Sequence, residues 1–144
     1  MRSLASVFIG FMVTSLIMLL VELVNGKLLF PEFAASAQGI TDREQLRQFL
    51  AKAPTSPLLV VIGGWLLGAL VGGYTAARIA TKAKLWHSLV LGILLTVAGV
   101  ASNLMIPPPL WFWGASLAVL LPGAYIGGRV GASNAPSTKL NDRR

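Results

Sequence analysis

The sequence predicts an all-α integral membrane protein with four transmembrane helices, and three observations lead to this fold class. Hydrophobic residues make up 55% of the 144 residues and charged residues only 12%, and the mean hydropathy is +0.72, which is too apolar for a soluble domain of this length. Four uncharged runs each approach the roughly 20 residues that an α-helix needs to cross a bilayer. Small residues recur at every fourth position of the second run, as they do in membrane helices that pack closely together.

The first transmembrane helix is predicted at about residues 3–24. A signal peptide is the alternative, because Ala35-Ser36-Ala37 resembles a small-residue cleavage site. A membrane span is favoured because the apolar run is longer than the apolar region of a typical signal peptide. Three charged residues, Glu22, Lys27 and Glu32, also separate the run from that site.

The segment 25–56 is polar and forms the first loop, which we expect to be extracytoplasmic. Within it, Thr41-Asp42-Arg43-Glu44 has the spacing of a capping box, and three apolar residues follow at helical spacing: Leu46, Phe49 and Leu50. The pattern predicts a short amphipathic helix. This helix either covers the bundle or lies on the membrane surface, or it is a connector that buries its three apolar side chains. The connector is favoured.

The other three spans are predicted at about 57–79, 86–106 and 110–129. No Asp, Glu, Lys or Arg lies between Lys84 and Arg129, and the prolines at 107–109 divide this long run because consecutive prolines cannot continue a helix. The four spans and the first loop make one membrane domain, residues 1–131. Residues 132–144 are polar and basic without apolar periodicity, which predicts a disordered cytoplasmic tail.

The positions of the basic residues predict the orientation, because Lys and Arg in short loops stay on the cytoplasmic side of a membrane. With four spans, the side that holds both termini carries eight basic residues and one acid, and therefore the whole net charge of +7. The opposite side carries four basic and four acidic residues. We expect a bacterial inner-membrane protein with cytoplasmic N- and C-termini. Trp65 lies inside the second span rather than at an interface, and we expect it to pack on a neighbouring helix.

A ridge of small residues runs along the second span at four-residue spacing, at Gly64, Gly68, Gly72, Ala76 and Ala80. The sequence GGYTAARIA at 72–80 is echoed in the fourth span by GAYIGGRVG at 123–131. Small side chains let membrane helices approach closely. The pattern therefore predicts helix packing in the manner of a glycine zipper, with these principal residues: Gly64, Gly68, Gly72, Ala76, Gly123 and Gly127.

The first and third spans also share a pattern, Ser-x3-Gly-x3-Thr, at 6–14 and 88–96. Spans one and three enter the membrane from the same side, as do spans two and four. An internal repeat would therefore give two parallel helical hairpins related by an axis along the membrane normal. We expect a pseudo-two-fold four-helix bundle. Chance similarity is the alternative, because small residues are frequent in membrane helices.

Glu22 is the first candidate for a polar site, because ionisable residues near hydrocarbon are costly and are often functional. Asn103 is predicted at a comparable depth in the third span. If the two hairpins pack symmetrically, the two side chains could face one another across the bundle. The alternative, which is favoured, is that Glu22 reaches water at the interface and Asn103 hydrogen-bonds the backbone of a neighbouring helix.

Two Tyr–Arg pairs are candidate contacts for lipid head groups or an anionic ligand. Tyr74 and Arg78 are four residues apart, as are Tyr125 and Arg129, so each pair shares a helix face. The favoured alternative is that each Arg anchors a helix end while the Tyr lies in the aromatic belt of the membrane.

The remaining chemistry argues against an enzyme. The chain has no cysteine, one histidine and five acids, so no catalytic set, metal site or cofactor is predicted. Gly72-Gly73 lacks the spacing of a phosphate-binding loop. The basic residues lie between apolar runs rather than on one helix face, which excludes a typical nucleic-acid surface. The expected partners are the lipid bilayer and either further copies of the chain or another membrane protein.

The Gly-Gly-Tyr-x-Ala-Ala-Arg sequence at 72–78 and its echo resemble the uncharacterised small four-span proteins of bacterial inner membranes, a resemblance that implies no known activity. Small multidrug transporters also have four spans and use a glutamate in the first one. Here Glu22 lies at the end of its helix, and the charge asymmetry argues against dual insertion. The leading hypothesis is a non-enzymatic assembly or accessory protein packing through its glycine ridges. The alternative is a small transporter or channel using Glu22 and Asn103.

Overall fold

The computed structural model describes residues 2–133, and this range consists of helices joined by short turns and loops, without a strand. A π-helical turn, Asn25–Leu29, directly continues the first helix. The six α-helices, in chain order, are α1 (Arg2–Val24), α2 (Pro31–Ala37), α3 (Arg43–Ala51), α4 (Thr55–Ile79), α5 (Lys84–Met105) and α6 (Leu110–Ser133).

Four of these helices, α1, α4, α5 and α6, are long and apolar enough to cross a membrane. The chain is therefore a multi-pass membrane protein by the length and composition of its helices. Helix α6 continues to Ser133, so residues 132 and 133, assigned to the tail from the sequence, are helical. The rest of the predicted tail, 134–144, lies outside the described residues.

Proline and a left-handed residue set the ends of the long helices. Pro54 precedes α4 with extended backbone, and Pro57 fits the first turn because the N–H that proline lacks has no helical acceptor there. The prolines at 107–109 form the turn between α5 and α6. At the other end of the bundle, Ala83 has a φ of 46° immediately before α5, which costs a non-glycine residue conformational energy.

The first loop packs on one end of the bundle, which we call the loop end, where α1 and α5 end and α4 and α6 begin. Helix α3 is capped by Asp42, whose carboxylate accepts a hydrogen bond from the Gln45 backbone N–H. The N-cap is therefore one residue later than the capping box predicted from Thr41. The guanidinium of Arg43 donates to the Leu104 carbonyl oxygen at 2.9 Å, which ties α3 to the end of α5.

Helices α4 and α6 form the central pair of the bundle. Helix α1 packs on α4, and α5 packs on both α6 and α4. Helix α1 makes almost no contact with α6 and only a limited contact with α5. A two-fold axis would make the α1–α6 and α4–α5 contacts equivalent, so the structure departs from the predicted pseudo-two-fold arrangement.

The core lies between α4, α5 and α6. Trp65 of α4 is 8% exposed and contacts the ring of Phe112 on α6, with centroids 6.1 Å apart in an edge-to-face arrangement. The prediction that Trp65 packs on a neighbouring helix is confirmed. The same core cluster also contains five smaller buried residues, Ala69, Ala76, Leu91, Leu95 and Leu120.

Candidate functional site

Glu22 lines a crevice near the loop end, between α1 and α5. Helix α4 contributes one residue to the wall, Trp65. The crevice has a volume of about 160 Å³. Within residues 2–133, the Glu22 side chain is exposed and has no hydrogen-bond or ion-pair partner. The rest of the lining comes from α1 and α5: Phe11, Ser15, Met18, Leu95, Ala98, Gly99 and Ser102.

Asn103 does not share this crevice with Glu22. Its side chain is 3% exposed, and its Nδ2 donates to Ser116 Oγ on α6 at 3.2 Å. Ser116 in turn donates to the Trp113 carbonyl oxygen at 3.3 Å. Asn103 thus joins α5 to α6, a role close to the alternative derived from the sequence. The partner is a side chain rather than the helix backbone.

Two serines that the sequence analysis did not select accompany Glu22 in the crevice. Ser15 donates to the carbonyl oxygen of Phe11, one turn earlier in its own helix, at 2.9 Å, which leaves its oxygen lone pairs available. The Ser102 hydroxyl has no hydrogen-bond partner in the described part of the chain. The alternating four- and three-residue spacing of 11, 15, 18 and 22 along α1 is the sequence signal that could have identified Ser15.

An apolar groove continues from the crevice between α1 and α5. Its volume is about 680 Å³. Phe11 and Ala98 line both the groove and the crevice, so the two spaces adjoin. The remaining lining residues are all apolar: Leu4, Val7, Phe8, Val90, Leu94, Val97 and Ala101.

The predicted ridge on α4 contacts α1 of the same chain. A Cβ atom at Gly68 would lie 3.1 Å from the Thr14 methyl, and one at Gly72 would lie 2.7 Å from the Gly10 carbonyl oxygen. A Cβ at Gly64 would lie 2.9 Å from Val21 Cβ. The Thr14 hydroxyl lies 3.0 Å from both the Gly68 and the Gly10 carbonyl oxygens and donates to them. These glycines therefore allow close contact between α1 and α4.

The predicted glycines on α6 contact α4 rather than α5. A Cβ at Gly127 would overlap the Leu70 carbonyl oxygen, and one at Gly123 would lie 3.0 Å from Ala69 Cβ. Gly73 on α4 faces the backbone of Ala124 in the same way. The ridges on α4 and α6 thus match in sequence but contact different helices. The α4 ridge contacts α1, and the α6 ridge contacts α4.

The two Tyr–Arg pairs are also not equivalent. The Arg129 guanidinium lies 6.0 Å from the centroid of the Tyr125 ring, the range of a cation–π contact. Tyr74 is half-buried, and a Cβ at Gly131 would lie 3.2 Å from its carbonyl carbon. Both Arg78 and Arg129 are exposed near the ends of their helices. Their positions fit helix anchors as well as head-group contacts.

No cluster of three or more His, Cys, Asp or Glu side chains suited to a metal ion occurs between residues 2 and 133. His87 Nδ1 lies 3.0 Å from the Ala83 carbonyl oxygen, within the first turn of its own helix. Glu22 is the one acid within α1, α4, α5 and α6, it lines the crevice, and its carboxylate has no partner among the described residues, so this crevice is the candidate site. Comparisons with models of protein families, with curated proteins and with solved structures found no match for this chain.

Proposed function

We propose that the chain is a non-enzymatic accessory or assembly component of a bacterial inner membrane, with both termini in the cytoplasm. The observation that carries this proposal is the peripheral position of α1. Only 17% of its apolar span is buried, against 33–39% in the other three spans. One face of α1 packs on α4, and a second lines the groove toward α5. The outer face is left for lipid or for a partner helix.

The glycine ridges support the proposal in a different way from the one expected from the sequence. Their close contacts join helices of the same chain, along α1–α4 and α4–α6. A bundle whose centre is closed by helix-to-helix backbone contact suits a scaffold better than a conduit. We therefore assign the partner contact to α1 and not to the ridges.

The experiment is site-specific photo-crosslinking in native membranes, followed by purification in mild detergent and mass spectrometry. Leu16 on α1 is 56% exposed and points away from both α4 and the groove, so a crosslinker there should capture one foreign membrane protein in stoichiometric amount. Ile126 on α6, which is 52% exposed, is the matched control and should capture lipid. Lipid alone at both positions would refute the accessory role.

The transporter or channel alternative requires Glu22 and Asn103 to act together. Asn103 is hydrogen-bonded to Ser116 and does not line the crevice of Glu22, so the support for this alternative comes from Glu22. A crosslink from Leu16 to a second copy of the chain, without a foreign protein, would favour this alternative. Loss of cation-dependent flux in Glu22→Gln proteoliposomes would then be its direct test.

A further inference from the structure

The groove and the crevice form one continuous surface along α1. Six of the seven lining residues on this helix alternate between four- and three-residue spacing, which keeps them on one face. They are Leu4, Phe8, Phe11, Ser15, Met18 and Glu22, and the seventh is Val7. At 1.5 Å per residue this face is about 27 Å long. It therefore extends over most of the hydrocarbon thickness of a bilayer, which is about 30 Å.

The surface changes character along its length. The part between Leu4 and Phe11 is lined by aliphatic and aromatic side chains. Toward the loop end, Ser15, Ser102 and Glu22 add oxygen atoms to the lining. An apolar groove that leads to a polar crevice near the membrane surface matches the shape of a phospholipid, in which an acyl chain extends from a polar head group.

The charge of the crevice indicates which head group it would bind. Glu22 supplies a carboxylate, Ser102 an unpartnered hydroxyl and Ser15 the free lone pairs of its hydroxyl, while no Lys, Arg or His is among the described residues that line the crevice. A carboxylate at the edge of hydrocarbon is costly without a counter-charge. A primary ammonium has three N–H donors, enough for the carboxylate of Glu22 and the hydroxyl of Ser102; Ser15 lies about 10 Å from Glu22 along α1 and adds polarity deeper in the crevice.

The volume of the crevice indicates a slender ligand. The crevice measures about 160 Å³, roughly the volume of five water molecules, and it lies between helices with Trp65 in its wall. An α-helix with its side chains is about 10–12 Å across and cannot enter. An ethanolamine group can enter the crevice, and one acyl chain can follow the groove.

We propose that the α1–α5 groove binds a membrane phospholipid with a phosphoethanolamine head group. Its ammonium donates hydrogen bonds to Glu22 and Ser102, and one acyl chain lies against Phe11 and the apolar groove. The second chain stays in the bilayer. This site is separate from the outer face of α1, so it does not depend on the accessory role.

The test is native mass spectrometry of the full chain from nanodiscs that contain equal amounts of phosphatidylethanolamine, phosphatidylcholine and phosphatidylglycerol. We expect the bound phosphatidylethanolamine to be enriched about three- to tenfold over its share of the bilayer, as one partly solvated charge-assisted hydrogen-bond set would give. Glu22→Gln keeps the size of the side chain and should abolish the enrichment. Glu32→Gln, on the exposed surface of α2, is the matched control and should leave it unchanged.

Several results would overturn the proposal. They are no enrichment in the wild-type chain, enrichment that survives in Glu22→Gln, or equal enrichment of phosphatidylcholine, whose quaternary ammonium has no N–H donor. A dimer that excludes lipid would show instead that a second copy occupies the groove. If Glu22→Gln fails to fold, Ser102→Ala should reduce the enrichment. A phosphatidylethanolamine with a photoreactive acyl chain should then label peptides of α1 and α5, and labelling confined to α6 would contradict the assignment.

Discussion

Replacement of Gly127 by alanine gives the sharpest test of how the central helix pair is held together. Any Cβ at this position would overlap the Leu70 carbonyl oxygen and would lie 2.8 Å from the Leu70 carbonyl carbon and 3.0 Å from its Cα. All three atoms belong to the backbone of α4, so no side chain can rotate away. The two helices must therefore separate, or α6 must turn about its axis.

The expected cost follows from the contacts along the same seam. Overpacking a close contact costs about 1–3 kcal/mol. Separation of α4 and α6 also weakens the contacts around Gly73, Gly123 and Gly131, where each lost atom pair is worth about 0.1–0.2 kcal/mol. We expect Gly127→Ala to lower the free energy of unfolding by about 2–5 kcal/mol, the sum of overpacking and about ten lost atom pairs.

Gly114→Ala is the matched control, because Gly114 lies in the same helix and a Cβ there would have no atom within 4 Å. Alanine costs less than glycine in a helix, so this variant should unfold at the same point or later. The measurement is equilibrium unfolding by SDS in mixed micelles, followed by tryptophan fluorescence, to which the buried Trp65 contributes. Equal midpoints for Gly127→Ala and Gly114→Ala would refute the argument that backbone contact sets the helix separation.

Two further predictions use the same titration. Thr14→Val removes the hydroxyl that donates to the Gly68 carbonyl oxygen at 3.0 Å and should lower the free energy of unfolding by about 0.6 kcal/mol, the average for hydrogen bonds between membrane helices. The control is Thr96→Val, because the Thr96 hydroxyl donates to Gly92 within its own helix, and this variant should cost less. A larger cost for Thr96→Val than for Thr14→Val would contradict the assignment. Ala83→Gly should raise the free energy of unfolding by about 0.5–1 kcal/mol, because the φ of 46° costs alanine more than glycine gains by its flexibility in the unfolded chain. A lower midpoint for Ala83→Gly would show that this residue is not left-handed.

The sequence predicts the long helices well because their limits are set by local chemistry. Uncharged length and the prolines at 107–109 act within one segment, and α5 and α6 end and begin on either side of them. The cap of α3 was placed one residue early because Thr41 and Asp42 are both good N-cap residues. The carboxylate of Asp42 reaches the Gln45 N–H at 2.9 Å, which the spacing of Thr41 and Glu44 could not indicate.

From the sequence, Asn103 is the candidate partner of Glu22, whereas the crevice that Glu22 lines includes Ser102 and not Asn103. Successive residues of a helix point about 100° apart, so a small error in the rotation of α5 exchanges Asn103 for Ser102. In the structure Ser102 lines the same crevice as Glu22, and Asn103 donates a hydrogen bond to Ser116 on α6. The rotation of α5 is set by its packing against two other helices, and no pattern within α5 records it.

The departure from two-fold packing also explains why the groove exists. Helix α5 lies against both α4 and α6, with the Ser88 hydroxyl donating to the Gly73 carbonyl oxygen at 2.9 Å. Under two-fold symmetry α1 would lie against α6 and α4 in the same way. Instead, α6 packs on α4 around Gly127. Helix α1 therefore contacts α4 closely and α5 only to a limited extent. The close α4–α6 seam and the open α1–α5 groove are therefore two consequences of one arrangement.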